Sequence, residues 1–361
     1  MMYMKIPWSI PNIQQEDKDA LQRVTDSEWY SMGKEVKNFE DKTSSYLNIK
    51  YAVGVNNGTA ALDVALKCVG IGQGDEVIIP ALTYIATGNA VLYNSGTPVF
   101  VDVDDTLNID TSLIEEKITD KTKAIINIDL GGNVSNYYEL LRISKKYDIP
   151  LIVDGAQSFG SKYHEVKCCT HGLVNTTSFH AAKILTTIEG GMVFTNDKEL
   201  YLKARAIRNQ GESSKYIHSY LGNNYRMMDL IAAIGSPQLN RFEETLNQRR
   251  AKAAYYKEHL KNVEYPKEIP NTINCYFFFL ILVNNRDKLD SYLNENGIET
   301  RITYPMPINE QPVFRSFSKE TFAMAKKISE SVISLPIHYK LTCKEQDYII
   351  KIINKFGGGF L

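Results

Sequence analysis

Short apolar runs alternate with amphipathic stretches between residues 50 and 200, and this rhythm constrains the fold of the chain more than any other feature. It is typical of the mostly parallel sheets of α/β proteins, in which a crossover helix follows each strand. Helices are predicted at 113–117 and 138–147. Strands are predicted at 76–80, 98–103, 123–128, 150–153, 176–179 and 192–195. The sequence therefore predicts one large α/β domain in this part of the chain.

The C-terminal third has a different organisation, which begins with a long polar helix pattern at 247–262. It continues with an apolar run at 275–283 and helix patterns at 288–296 and 343–356. A chain of 361 residues is long enough for one large domain and a smaller one. We predict a large domain at residues 1–240, with its extreme N-terminus free to pack on the small domain, and a small α+β domain at residues 241–361.

The charge balance excludes several classes of partner. The chain has 41 basic and 42 acidic residues and a net charge of −1, so no overall field attracts nucleic acid or an anionic membrane. Its five cysteines lack metal-ligand spacing, which indicates free thiols and no metal site. The N-terminus lacks the features of a secretory signal, and no run of 18 apolar residues occurs. We therefore expect a soluble, cytoplasmic protein that binds any anionic ligand through local groups.

Two chemically important residues follow neighbouring predicted strands. Asp154 ends the stretch PLIVD, and Lys183 comes shortly after the strand predicted at 176–179. Because α/β sheets bind ligands at the carboxyl ends of parallel strands, both side chains are expected in one crevice. Pyridoxal phosphate chemistry needs this pair, an amine that forms an imine and a carboxylate that keeps the pyridinium nitrogen protonated. A capping aspartate and a solvated lysine would produce the same pattern.

A phosphate site is the second requirement of such a cofactor. The segment VGVNNGTAA continues into a helix pattern, so the backbone amides of Gly58 and Thr59 would face an anion at the N-terminus of that helix. An ordinary N-cap by Asn57 or Thr59 is the alternative interpretation. Ser178 is a second hydroxyl that could bind the phosphate, and Tyr84 could stack on the cofactor ring.

These motifs together resemble the DegT/DnrJ/EryC1/StrS family of sugar aminotransferases. The matching pieces span nearly the whole chain in family order: WYSMGKEVKNFE (29–40), VNNGTAAL (55–62), GDEVIIPALTYIAT (74–87), VDGAQSFGSKY (153–163), SFHAAKILTTIEGGM (178–192), NNYRMMDLIAAIGSPQL (223–239) and SLPIH (334–338). The resemblance implies the pyridoxal-phosphate-dependent transferase fold of type I. This α/β fold has a large domain with a mostly parallel, seven-stranded sheet flanked by helices, and a smaller α+β C-terminal domain.

The resemblance also implies a set of roles at the site. Lys183 would hold pyridoxal 5′-phosphate as a Schiff base, with pyridoxamine phosphate as the aminated form, and Asp154 would pair with the pyridinium nitrogen. Gln157 would lie beside the phenolic oxygen. Tyr84 would lie on the ring face, with Gly58, Thr59 and Ser178 around the phosphate. Asn224 would reach the phosphate in the neighbouring subunit, which implies a homodimer with shared active sites.

The expected reaction is transfer of an amino group from glutamate to a nucleotide-linked keto sugar. Amination of a 4-keto-6-deoxyhexose at C4 is the leading hypothesis, amination at C3 is the alternative, and dTDP, UDP and GDP all remain compatible. Related dehydratases carry histidine in place of the imine lysine, and Lys183 argues against that class. A non-catalytic homologue that binds the cofactor is the third hypothesis. Substrate contacts are expected from Lys34, His180, Glu189, Arg226 and Tyr304.

The chain departs from the family pattern at three positions. Ile188 replaces the usual glycine before Glu-Gly-Gly, and Asp129 replaces a histidine that is common after the strand near residue 128. The segment 303–309, TYPMPIN, lacks the histidine that usually follows Tyr-Pro. We expect all three departures to lie on the substrate side of the site.

Overall fold

The computed structural model describes residues 5–356. The outer ends of the two predicted domains, residues 1–4 and 357–361, lie outside the described residues. The strands are β1 (Tyr51–Val55), β2 (Glu76–Pro80), β3 (Thr97–Val101), β4 (Thr122–Ile128), β5 (Leu151–Asp154), β6 (Lys162–Tyr163), β7 (Val166–Lys167), β8 (Val174–Ser178), β9 (Gly191–Thr195), β10 (Glu212–Ser214), β11 (Ile217–His218), β12 (Thr272–Ile273), β13 (Phe279–Leu282) and β14 (Val332–Leu335).

The α-helices cover the sheet and build most of the C-terminal third. They are α1 (Gln15–Asp26), α2 (Lys34–Leu47), α3 (Gly58–Val69), α4 (Ile85–Tyr93), α5 (Tyr137–Tyr147), α6 (Lys198–Arg208), α7 (Asp229–Asn240), α8 (Phe242–His259), α9 (Arg286–Glu295), α10 (Ala323–Ser331) and α11 (Cys343–Lys355). Four short 3₁₀ turns occur at Thr111–Leu113, Glu115–Lys117, Leu130–Gly132 and Ile308–Glu310.

The central sheet has seven strands in the order β1-β9-β8-β5-β4-β2-β3. The strands β3, β2, β4, β5, β8 and the edge strand β1 run in one direction, whereas β9, which lies between β8 and β1, runs in the opposite direction. Apolar clusters cover both faces, one built around α3 and the other around α5. This double coverage explains why the parallel strands read as nearly continuous apolar runs. The predicted α/β fold class and its mostly parallel sheet are confirmed.

Most predicted elements lie within a few residues of their observed bounds, but the predicted helix at 113–117 is wrong. Two successive 3₁₀ turns occupy this stretch, Thr111–Leu113 and Glu115–Lys117. The carboxylate of Asp110 accepts hydrogen bonds from the backbone N–H and the hydroxyl of Ser112, and Ile118 already has an extended backbone. Such local side-chain bonds compete with helix formation, and so short a stretch cannot offset the cost of nucleating an α-helix.

A second apolar core lies in the C-terminal third. It joins α8, α9 and α11 to the antiparallel pair β13–β14, with Tyr256, Phe279 and Ile349 among its buried residues. Ile6 from the N-terminal segment packs in the same core and forms a backbone bridge with Ile298. The boundary between residues 240 and 241 stays a prediction.

Three contacts tie the segment 303–325 to the large sheet. The ring of Phe314 fills the space beside Gly88 of α4, where a Cβ atom would lie 2.5 Å from the ring. The N–H of Ile308 donates to the carbonyl of Ala81 at 2.8 Å. Asp102, just after β3, accepts from the backbone N–H groups of Met324 and Ala325 at 3.0 and 2.8 Å. These contacts hold the segment beside the carboxyl ends of the strands.

Between residues 5 and 356, no helix has the length and apolar character needed to cross a membrane.

Candidate active site

A cavity of about 780 Å³ opens at the carboxyl ends of the parallel strands. One wall is formed by the ends of β4, β5 and β8, the start of α3 and the loop after β8. The opposite wall is aromatic, with Phe277, Phe278 and Tyr304 from the C-terminal third and Trp8 from the N-terminal segment. Of the residues predicted to bind a cofactor, the cavity brings together Gly58, Thr59, Tyr84, Asp154, Gln157, Ser178 and Lys183.

Lys183 lies partly buried in this cavity, five residues after the end of β8. Its Nζ is 4.3 Å from the ring centroid of Phe277. Burial lowers the pKa of Lys183 from 10.5 to about 8, and the negative charge of Asp154 opposes this shift only in part. The uncharged amine, which is the form that attacks a carbonyl carbon, is therefore more populated near neutral pH than in a solvated lysine.

Asp154 is the last residue of β5 and is buried. Its Oδ1 accepts from the N–H of Ala156 at 3.1 Å, and its Oδ2 accepts from the hydroxyl of Thr87 at 3.4 Å. Burial raises the pKa of Asp154, whereas the bond from Ala156 and the charge of Lys183 act in the opposite direction. A buried carboxylate in this setting is stabilised by a cation placed against it.

The start of α3 forms a narrow, positively polarised recess. Asn57 caps this helix by accepting the N–H of Ala60 at 2.8 Å, so the N-cap interpretation is correct as well. The other first N–H groups of a helix have no intrahelical acceptor and favour an anion. A Cβ atom on Gly58 would lie 2.8 Å from the Cβ of Ser178 and 3.2 Å from its Oγ, so only glycine fits beside this hydroxyl.

Gln157 links the turn after β4 to the aromatic wall. Its Oε1 accepts the backbone N–H of Gly131 at 2.7 Å, and its Nε2 donates to the hydroxyl of Tyr304 at 3.0 Å. The ring of Tyr304 lies 6.0 Å from the ring of Tyr84, which is exposed at the mouth of the cavity. Burial raises the pKa of Tyr304 far above its usual value, so its hydroxyl remains protonated.

The predicted substrate residues fall into two groups. His180, Glu189 and Tyr304 line the cavity, and the Nε2 of His180 lies 3.7 Å from a carboxylate oxygen of Glu189. Lys34 and Arg226 do not line it. Lys34 is the first residue of α2, and the guanidinium of Arg226 donates to the side-chain oxygen of Asn209 at 2.8 Å. The predicted phosphate ligand Asn224 is likewise absent from the cavity wall of its own chain, and it is exposed.

The three positions that depart from the family pattern do not all lie on the substrate side of the site. Asp129 is fully buried and accepts from the hydroxyl of Tyr137 at 2.6 Å and the N–H of Ser135 at 3.0 Å, so its expected place on the substrate side is wrong. The turn after β4 directs this side chain into the core instead. Ile188 is half exposed and has a φ of 72°, a left-handed conformation that is unusual for a β-branched residue. Within 303–309, the residues that line the cavity are Thr303 and Tyr304.

Several residues that line or support the site were not predicted from the sequence. They are Trp8, Thr87, Tyr225, Phe277 and Phe278. Trp8 is held by a hydrogen bond from its Nε1 to the hydroxyl of Ser334 at 3.0 Å. Isolated aromatic residues read as core residues in a sequence, and nothing in their spacing distinguishes those that face a cavity. In the part of the chain that the structure describes, no group of three or more His, Cys, Asp or Glu side chains is arranged to hold a metal ion.

The seven-stranded, mostly parallel sheet, with a lysine and an aspartate beside a helix N-terminus, has the fold of the type I class of pyridoxal-phosphate-dependent transferases. The chain belongs to the DegT/DnrJ/EryC1/StrS aminotransferase family, whose sequence model matches residues 11–354. The protein is accordingly an enzyme of the sugar aminotransferase class.

Named relatives support this assignment. The chain is 37% identical to the dTDP-3-amino-3,6-dideoxy-alpha-D-galactopyranose transaminase of Aneurinibacillus thermoaerophilus, over 95% of this chain and 96% of that one. It is 38% identical to the UDP-2-acetamido-2-deoxy-3-oxo-D-glucuronate aminotransferase of Pseudomonas aeruginosa, over 88% and 90%. The solved PLP form of Spr1654 from Streptococcus pneumoniae is 27% identical, with a TM-score of 0.92 over 97% and 98% of the two chains.

Proposed function

We propose that this enzyme binds pyridoxal 5′-phosphate through Lys183 and transfers an amino group from glutamate to the keto group of a nucleotide-linked sugar. One observation carries the proposal. A lysine with a pKa of about 8, a buried carboxylate and the open N-terminus of α3 line one cavity, and together they match the aldehyde, the pyridinium nitrogen and the phosphate of that cofactor.

The chemistry of the polar groups in the cavity supports this choice of cofactor. The recess beside Gly58, with the hydroxyl of Ser178, accepts a dianion where no other side chain has room. The raised pKa of Asp154 reflects a buried carboxylate without a full counter-charge, which a protonated ring nitrogen would supply. Gln157 directs its amide nitrogen toward the interior of the site.

When bound, the cofactor supplies an electron sink that stabilises negative charge on the carbon next to the amino group. Lys183 then serves as the base that moves a proton at that carbon, because burial lowers the pKa of its free amine to about 8 and raises the uncharged fraction near neutral pH. Asp154 keeps the ring nitrogen protonated. The aromatic wall of Phe277, Phe278 and Trp8 limits the access of water to the reacting atoms.

The position of the keto group has two candidates. Amination of a 4-keto-6-deoxyhexose at C4 is the position that the family resemblance favours. Amination at C3 is the second candidate, because the names of the two relatives described above carry the amino or keto group at C3. We propose C4 as the first reaction to assay and C3 as the competitor.

The first experiment tests attachment of the cofactor without relying on turnover. Purified enzyme is incubated with pyridoxal phosphate, reduced with borohydride and digested, and mass spectrometry locates the modified peptide. Modification at Lys183 in the wild type and its loss in Lys183→Met support the proposal. Stable attachment at any other lysine would contradict it.

The second experiment tests the reaction. A panel of dTDP-, UDP- and GDP-linked 4-keto and 3-keto sugars is incubated with glutamate, and products are separated by mass and by fragmentation. The expected product is one mass unit heavier than its ketone, because an oxygen atom is replaced by the nitrogen and three hydrogens of ammonia. If no sugar in the panel yields such a product while glutamate still aminates the cofactor, the proposed acceptor class is wrong.

We also propose a cytoplasmic homodimer with shared active sites. Asn224 is exposed and lies outside the cavity of its own chain, which suits a residue that serves a partner subunit. Mixed dimers of Lys183→Met and Asn224→Ala test this arrangement, because one site of each mixed dimer would contain both intact residues. Mixtures should regain activity that neither variant has alone, and failure to regain it in confirmed mixed dimers would contradict the sharing of sites.

A further inference from the structure

The hydroxyl of Tyr304 has an unused proton. The amide of Gln157 has only one orientation, because its Oε1 accepts the N–H of Gly131, and this directs its Nε2 to donate to Tyr304 at 3.0 Å. Tyr304 is therefore the acceptor in this bond. Its own proton has no acceptor among the residues that the structure describes, and the residue lines the cavity.

Tyr304 acts as a neutral donor, since burial and the charge of Asp154 both raise the pKa of its phenol. The residue cannot serve as a base near neutral pH. Its hydroxyl can instead donate to an acceptor atom of a bound ligand, and the apolar side chains of Phe277 and Phe278 line the same cavity. A hydrogen bond in apolar surroundings is electrostatically stronger than one in water.

The neighbouring polar side chains differ from Tyr304 in exposure or in hydrogen-bond partners. Within 303–309, the hydroxyl of Thr303 is buried and the amide of Asn309 donates to the carbonyl of Glu320 at 3.2 Å. Under the proposed function, Lys183 binds the cofactor and transfers the proton. His180 is half exposed and lies close to Glu189.

The position of Tyr304 is well determined. Besides the bond from Gln157, two contacts hold the residues that follow Tyr304 in the chain. The N–H of Ile308 donates to the carbonyl of Ala81 after β2, and Phe314 packs against Gly88 of α4. A donor that is oriented before the ligand binds loses little entropy when the bond forms.

We propose that Tyr304 donates a hydrogen bond to the oxygen of the sugar's keto group, and that this bond orients the carbonyl carbon toward the attacking amine. The inference rests on the proposed function and assigns the acceptor atom within it. No covalent bond to Tyr304 is involved, because its role is to bind and polarise the carbonyl.

The two half-reactions separate this role from others. The reacting carbon of glutamate bears no oxygen when it enters, so the loss of the Tyr304 hydroxyl should affect amination of the cofactor by less than about twofold. Amination of the keto sugar should slow by about 10- to 100-fold in Tyr304→Phe, the range found when one donor to a reacting oxygen is removed. Stopped-flow absorbance follows each half-reaction in a single turnover.

A binding measurement provides a readout that does not depend on turnover. Calorimetry compares the affinity of cofactor-free protein for the nucleotide-linked keto sugar with its affinity for the corresponding alcohol. Tyr304→Phe should weaken binding of the keto sugar by about 3- to 10-fold. Tyr265→Phe is the matched control, because the hydroxyl of Tyr265 is buried without a partner in the described residues and lies outside the cavity.

Three results would overturn the inference. The first is an unchanged sugar half-reaction in Tyr304→Phe when the wild type aminates the same sugar. The second is an equal loss in both half-reactions, which would indicate that Tyr304 acts only by supporting Gln157 beside the cofactor. The third is an equal effect of Tyr265→Phe. If the wild type aminates no sugar at all, the proposed function fails instead, and the two failures are thereby distinguished.

Discussion

Replacing Lys183 should expose the energetic cost of keeping an amine inside the cavity. In the folded protein, burial lowers the pKa of this lysine from 10.5 to about 8. Each pKa unit corresponds to about 1.4 kcal/mol. The lysine therefore destabilises the cofactor-free protein by about 3 kcal/mol at pH 7, because both states are largely protonated there and only the folded chain holds the charge in a buried position.

The pH dependence follows from the direction of the shift. Between pH 8 and 10.5 the unfolded chain binds the proton and the folded chain has released it, so the free energy of unfolding of the wild type rises with pH across this window. Lys183→Met has no group that titrates there, and Lys183→Arg keeps its charge throughout. The wild type should gain about 3 kcal/mol relative to both variants between pH 7 and 10.5.

Urea unfolding of the cofactor-free proteins, followed by circular dichroism at half-unit pH intervals, measures these differences. Other titrating groups are common to the three proteins and cancel in the comparison. The Met and Arg variants should give parallel curves that differ by a constant. If the wild-type curve also runs parallel to them, Lys183 titrates normally in the folded state and the argument for a reactive neutral amine is refuted.

Two further predictions concern the construction of the site. Gly58→Ala would push a methyl group to 2.8 Å from Ser178, so pyridoxal phosphate should bind about tenfold or more weakly by fluorescence titration while the midpoint of thermal unfolding stays within a few degrees. An unchanged affinity would show that the phosphate binds elsewhere. Asp229 accepts hydrogen bonds from the N–H groups of Gly33 and Val36 at the start of α2. Asp229→Ala removes this acceptor and should lower the free energy of unfolding, measured in urea, by about 1–2 kcal/mol. Asp229→Asn keeps an acceptor oxygen and should retain most of the wild-type stability. Equal losses in the two variants would contradict a capping role.

The cofactor side of the site was readable from the sequence because its residues are attached to regular elements. Asp154 ends a strand, Ser178 ends the adjacent parallel strand, and Gly58 begins a helix. The carboxyl ends of neighbouring parallel strands meet at one edge, so residues distant in the chain are brought together by a rule that local patterns reveal. Lys183 follows β8 closely enough to share this placement.

The opposite wall could not be predicted in this way. Its residues come from distant parts of the chain: Trp8 is more than 250 residues away from Phe277 and Tyr304, yet all three line the cavity. In the sequence, each looks like an ordinary apolar or loop residue. Asp129 shows the opposite case. Its position directly after a strand predicted that it would face the cavity, but its side chain points into the core, where it accepts hydrogen bonds from Tyr137 and Ser135.

What the sequence determined by itself is the order of strands and helices and the motif residues at their ends, because periodicity and helix-start signals act over a few residues. What only the tertiary structure decided is which side of the sheet the C-terminal third covers and which of its side chains meet Lys183. Those contacts depend on packing between distant segments, such as Phe314 against Gly88, and on the single orientation of Gln157 that presents a donor site to Tyr304. Packing of this kind has no local signature, so it becomes visible only in the folded chain.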